Sequence, residues 1–134
     1  MNKLSLLIII YFLCNNLSHS QELEPINTLA KEQADIYLKD LQVHYKNGDY
    51  KLHKAYSDSL LGIAKQHKFT KMHILALINQ GIYFKNRSEQ QKTIELYHQA
   101  LELCKHIPED FRTKTIVLVN MGNSFQYRCS RKIY

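Results

Sequence analysis

Asn79-x-Gly81-x-x-Phe84-x-x-Arg87 returns downstream as Asn120-x-Gly122-x-x-Phe125-x-x-Arg128, four identities that share one offset of 41 residues. Upstream, Leu60-Leu61-x-x-Ala64-Lys65 lines up with Ala100-Leu101-x-x-Cys104-Lys105 at an offset of 40, and Tyr45-Lys46-Asn47 with Phe84-Lys85-Asn86 at 39. Three matches at nearly equal spacing mark an internal repeat of about 40 residues. That length suits a two-helix unit stacked on its own copies, with the one-residue slips falling at turns.

Nothing from Ala30 onward alternates as a strand would, and apolar residues recur three and four apart. Leu52, Tyr56, Leu60 and Ile63 form one stripe; Ile74, Leu77, Ile78, Gly81 and Ile82 form another. Ile94, Tyr97, Leu101 and Cys104 make a third, and Leu118, Met121, Gly122 and Phe125 a fourth. The breaks are short and polar: Asn47-Gly48-Asp49, 66–70, Arg87-Ser88-Glu89 and Ile107-Pro108-Glu109-Asp110. The spacing predicts helix pairs at 29–46 with 49–66 and 70–86 with 88–106, then a helix at 110–127 followed by a stub. Gly48 is expected to take the left-handed conformation that ends a helix, with Asp49 and Ser88 capping the helices that follow. Gly81 and Gly122 fall inside helices, where glycine costs about 1 kcal/mol relative to alanine. They are expected where a paired helix approaches closely, with Phe84 and Phe125 filling the space beside them.

The first twenty residues differ in kind. Lys3 is followed by an apolar block from Leu4 to Leu13, too short for a membrane span but suited to a signal-peptide core. Ser18-His19-Ser20 offers small residues for cleavage before Gln21, so export across a bacterial inner membrane to the periplasm or envelope is expected, with no membrane span after cleavage. Cleavage removes Cys14 and leaves Cys104 and Cys129, read as packed thiols rather than a disulfide. The net charge of +6 comes from Lys and Arg scattered between acids, with no basic stripe, which argues against nucleic-acid binding.

The helical units resemble the tetratricopeptide repeat. Leu77, Gly81, Phe84, Tyr97 and Ala100 stand at that family's matching places. Leu118, Met121, Gly122 and Phe125 match the first half of the next unit, and Gly48 and Tyr50 the turn of the earlier one. Thr93 and Gln80 depart from the pattern, and the first unit lacks the inner glycine. The resemblance implies an all-α fold: a right-handed α-solenoid of antiparallel helix pairs, about two and a half repeats, covering 29–134 after a signal peptide at 1–20. It also implies function by binding, with first-helix side chains lining a groove for a protein or peptide. By matching position those side chains are Gln42, Tyr45, Lys46, Lys85, Asn86, Asn123, Gln126 and Tyr127.

Little in the sequence points to catalysis. After cleavage the histidines are His44, His53, His67, His73, His98 and His106, none three or four residues from another, so no same-face pair seeds a metal site. Isolated glycines exclude a phosphate-cradling loop, and Glu95 and Glu102 share their helix with Lys92 and Lys105. The expectation is therefore a non-catalytic binding scaffold without cofactor or metal. Its alternative is a truncated sensor remnant of a longer repeat-containing transcriptional regulator or kinase that lacks its output domain. No polar terminal cap follows Tyr127, so truncation at the C-terminus, and self-association through that end, are further expectations.

Overall fold

The computed structural model describes residues 26–130, with side chains to Gln126. The expected signal peptide and Cys14, and the side chains of Tyr127 and Cys129, lie outside the described residues. Every regular element among those described is helical. Helix α1 spans 26–46. It is followed by α2 (Tyr50–Gln66), α3 (Thr70–Asn86), α4 (Gln90–Leu103), a 3-10 turn (Cys104–His106) and α5 (Phe111–Ser130). No helix among them is long and apolar enough to cross a membrane. The expected break after Tyr127 does not occur, because 127–130 holds neither glycine nor proline and α5 continues to Ser130.

The chain divides into two compact units, up to Gln33 and from Ala34. In the first, the described residues are the opening turns of α1, where Ile26 and Leu29 are exposed. The second holds the rest of α1 and α2 to α5.

Three turns of the second unit share one geometry. Gly48, Lys68 and Ser88, spaced 20 apart, are the residues with positive φ among those described, at +74°, +56° and +63°. Each N–H reaches back to the carbonyl three residues earlier, on Tyr45, Lys65 and Lys85 respectively. The next N–H closes onto the carbonyl five residues back, on His44, Ala64 and Phe84. This pattern satisfies the last carbonyls of each helix and reverses the chain. It also corrects two expectations. Ser88 fills the left-handed position instead of capping α4, and Tyr45 is equivalent to Lys85, so the register here is 40 rather than 39. Asp49 does cap α2, accepting from the Leu52 N–H at 3.3 Å. The fourth connection breaks the pattern: its 3-10 turn and Pro108 add one residue, which lengthens the next offset to 41.

The cores obey the same register. Ala34, Leu41, Leu60 and Ala76 form one buried cluster. Ile74, Ala100 and Val117, equivalent to Ala34, Leu60 and Ala76, belong to the other, with Leu77, Ile78, Tyr97 and Cys104. Along α2, and along α4 with the 3-10 turn that follows it, the buried positions coincide at an offset of 40: His53 with Thr93, Ser57 with Tyr97, Leu60 with Ala100 and Ala64 with Cys104. Each cluster thus joins one helix pair to the first helix of the next. Cys104 is buried and free, and burial raises its thiol pKa.

The close approach at Gly81 is present, but its occupant differs from expectation. A Cβ on Gly81 would stand 2.8 Å from Cζ and 2.9 Å from Cδ1 of Tyr97, and closer still to Cε1. The fully buried Tyr97 ring of α4 therefore lies on the bare backbone of α3. Phe84 packs edge-on against Tyr83, with the Lys92 ammonium 4.1 Å from its ring centre. The equivalent positions in the first pair are Leu41 and Ser57, both buried. Bulk has changed helices: large on the first and small on the second there, the reverse here. Gly122 meets nothing within 4 Å, and Phe125, Leu118 and Val119 are exposed, because α5 packs against α3 and α4 through its other face.

Gly81→Leu should therefore destabilise the chain by about 1–3 kcal/mol or more in urea melts, since the ring has to move. Adding Tyr97→Ser should restore part of that loss, a positive coupling in a double-mutant cycle. Gly122→Ala should stabilise by up to about 1 kcal/mol through helix propensity alone. At the turns, Gly48→Ala should cost about 1 kcal/mol, whereas Lys68→Gly and Ser88→Gly should be neutral or stabilising.

Candidate functional site

A cavity of about 410 Å³ opens between the first helices of the successive pairs, α1, α3 and α5. Leu38, Leu75, Ile78, Ile82 and Ile116 supply its apolar wall. Its polar groups are the amides Gln42, Asn79 and Asn120, one per helix, with Lys71, Arg112 and Thr113 at the end where α3 and α5 begin.

The polar residues are held in place by the fold. Asn79 donates through Nδ2 to the Leu75 carbonyl at 2.8 Å, and Asn120 repeats this with Ile116, also at 2.8 Å. In Asn79 this bond leaves Oδ1 facing α2, where the His53 ring nitrogen Nε2 donates to it at 3.1 Å. His53 Nδ1, fully buried, has no hydrogen-bond partner among the described residues. Burial lowers the His53 pKa, more than the bond to Asn79 raises it, and His44 lowers it further. A second tie between α2 and α3 runs from Gln80 to Asp58 (2.7 Å), which also pairs with Lys54 (2.6 Å). This contact gives the buried Gln80 side chain a partner on α2.

At the cavity's end, Asp110 caps α5, accepting from the Thr113 N–H and hydroxyl, both at 2.9 Å. It also pairs with Lys71 of α3 at 2.8 Å. Lys71 and the two Thr113 donors hold its carboxyl down at about 2. The Lys71 charge is thereby matched, whereas Arg112 has no ion-pair partner among the described residues. Gln90 of α4 donates to the Ser124 carbonyl and ties α5 to the second pair. The Tyr97 hydroxyl, beneath this contact, has no hydrogen-bond partner among the described residues, and burial pushes its pKa up to about 12. The neighbouring Ser124 offsets that rise in part, and its own hydroxyl donates to the Asn120 carbonyl at 2.9 Å.

Of the residues expected at the groove, Gln42 lines the cavity. Tyr45 packs instead against Tyr50 and His53, with ring centres 6.4 and 5.7 Å apart. Lys46, Asn86, Asn123 and Gln126 are exposed and Lys85 is half-buried; none of the five is among the cavity's lining residues. They occupy the next turn along the same helical stripes, past Gln42, Ile82 and Asn120. Asn79 and Asn120 were visible in the sequence as a repeated identity and could have been assigned by one consideration: a polar residue that recurs inside apolar helices has a task there. Lys71 and Arg112 carry no such signal.

Among the described residues, no three His, Cys, Asp or Glu side chains are grouped so as to hold a metal ion. No protein-family model, curated protein or solved structure matches this chain.

The histidines set a pH dependence. His53 and His73 both have pKa values lowered from the ordinary 6.5, in each case chiefly by burial. The unfolded chain thus takes up protons first. Their contribution to stability is complete above pH 6.5 and is lost as pH falls from there through the lower folded values. Urea melts should show stability falling from about pH 7.5 to about pH 5.5. His53→Gln, which keeps a donor for Asn79, should flatten that decline.

Proposed function

We propose that this chain is a non-catalytic binding scaffold of the tetratricopeptide kind, a right-handed α-solenoid exported to the bacterial envelope. On this reading the cavity between α1, α3 and α5 takes an extended peptide or protein segment. The observation that carries the proposal is one amide from each of three successive first helices, Gln42, Asn79 and Asn120, set along an apolar wall beside Arg112. Side-chain amides both donate and accept, so a row of them suits the alternating N–H and C=O groups of an extended backbone. The apolar wall suits a Leu- or Ile-sized side chain, and Arg112 an acidic residue. Export rests on the sequence of residues 1–20, and the register of 40 to 41 residues supports the stacked-repeat reading.

A phage-displayed random peptide library panned against the folded chain tests this. Enriched peptides should carry an acidic residue near an aliphatic one. Arg112→Glu and Ile116→Asp, both at exposed positions, should each weaken their binding by about tenfold or more without lowering the melting temperature. Peptides that bind both variants as tightly as the parent would remove the groove from the proposal. N-terminal sequencing of protein from fractionated cells should find Gln21 first, outside the cytoplasm.

A further inference from the structure

Histidines that look scattered in the sequence meet in space. On the side of α3 away from the groove, a depression of about 540 Å³ gathers His73 of α3, His98 of α4 and His106 of the 3-10 turn. Lys65, at the end of α2, and Lys105 stand on its rim beside them. The floor is apolar: Leu77 is buried and Leu103 half-buried. The volume falls in the range of small-molecule sites, about 300–1,000 Å³.

We propose that this depression binds a small amphiphilic monocarboxylate, its hydrocarbon tail on Leu77 and Leu103 and its carboxylate among Lys65, His73 and His98. Each part of the ligand answers a feature of the site. Glu102 on the rim pairs with Lys105 at 2.5 Å, which matches that lysine's charge and leaves Lys65 as the cation without an ion pair among the described residues. A single negative charge fits such a rim; a phosphate dianion would meet Glu102 and an apolar floor that offers it no donors. A metal is not the occupant these residues suit, since no three of the described ligand-type side chains are grouped to share one.

The site is built to respond to acid. The groups facing it are Lys65 from α2, His73 from α3, His98 and Glu102 from α4, and Lys105 and His106 from the 3-10 turn. Burial and, after it, Lys65 oppose a proton on His73. A bound carboxylate counters the Lys65 repulsion and favours the imidazolium, so binding and proton uptake reinforce each other. Affinity should rise as pH falls toward 6, where an aliphatic carboxylate is still ionised.

Heteronuclear NMR titration of the full chain with octanoate, octanol and acetate tests the inference. Octanoate should shift the amides of Lys65, His73, Leu77 and Leu103 saturably, and about tenfold more tightly than octanol or acetate. Its affinity should increase several-fold from about pH 7.5 to about pH 6. Lys65→Gln and His98→Gln, both at exposed positions, should each weaken octanoate about tenfold with an unchanged circular dichroism melt. Octanol binding as tightly as octanoate would overturn the proposal, as would shifts confined to Gln42, Asn79 and Asn120 or affinity that falls on acidification.

Discussion

The contact of the Tyr97 ring with the bare backbone at Gly81 sets how closely α3 and α4 approach, and much of the second core is arranged around it. With no side chain at Gly81, a large ring can enter from the opposite helix and be buried completely. Ile74, Ile78, Ala100 and Val117 belong to the same buried cluster as that ring. In the first pair the equivalent positions are the buried Leu41 and Ser57, so the repeat keeps the combined volume of the two positions and not the residues. Close packing explains why: an interior tolerates exchange of bulk between facing positions far better than a net change in volume.

Packing of neighbouring helices gives each a different number of covered faces. α3 has neighbours on both sides, with Ala76 in the first core and Ile74 and Ile78 in the second. α5 keeps the equivalent of Ala76, Val117, buried, while Thr115, Val119 and Gly122, equivalent to Ile74, Ile78 and Gly81, are exposed. First helices placed side by side leave a channel between their upper stripes, and second helices with the turns that end them leave another recess on the far side of α3. The groove and the histidine-lined depression both follow from one packing scheme. Polar ties then hold the register: His53 to Asn79, Gln80 to Asp58, and Asp110 to both Lys71 and Thr113. A bond that spans two helices orients side chains that solvent would otherwise leave mobile, which is why the cavity's asparagine arrives already aimed.

Much of this was legible in the residues. Hydrophobic spacing placed all five helices to within a few residues, because a stripe buried on one side must recur every three to four residues whatever its neighbour. Glycine, proline and short polar clusters located the turns, and the repeated Asn-x-Gly-x-x-Phe revealed the period. Gly81 was legible as a contact point because glycine within a helix carries a cost that only a close approach offsets. Local backbone chemistry and periodicity determine such features, and both are written along the chain.

Which side chain meets which was decided by tertiary structure alone. The sequence pointed to Phe84 for the space at Gly81; the crossing of α3 with α4 put Tyr97 there and left Phe84 beside Tyr83 and Lys92. Gln42, Tyr45 and Lys46 sit along one stretch of α1, yet Gln42 reaches the cavity and the Tyr45 ring turns to Tyr50 and His53. Periodicity gives the angle of a residue around its own axis but not its height against a neighbour, and one turn of helix moves a side chain about 5 Å along the groove. His73, His98 and His106 show the same limit from the other direction. They stand 25 and 8 residues apart, with nothing local to link them, and only the packing of α3, α4 and the 3-10 turn brings them to one rim.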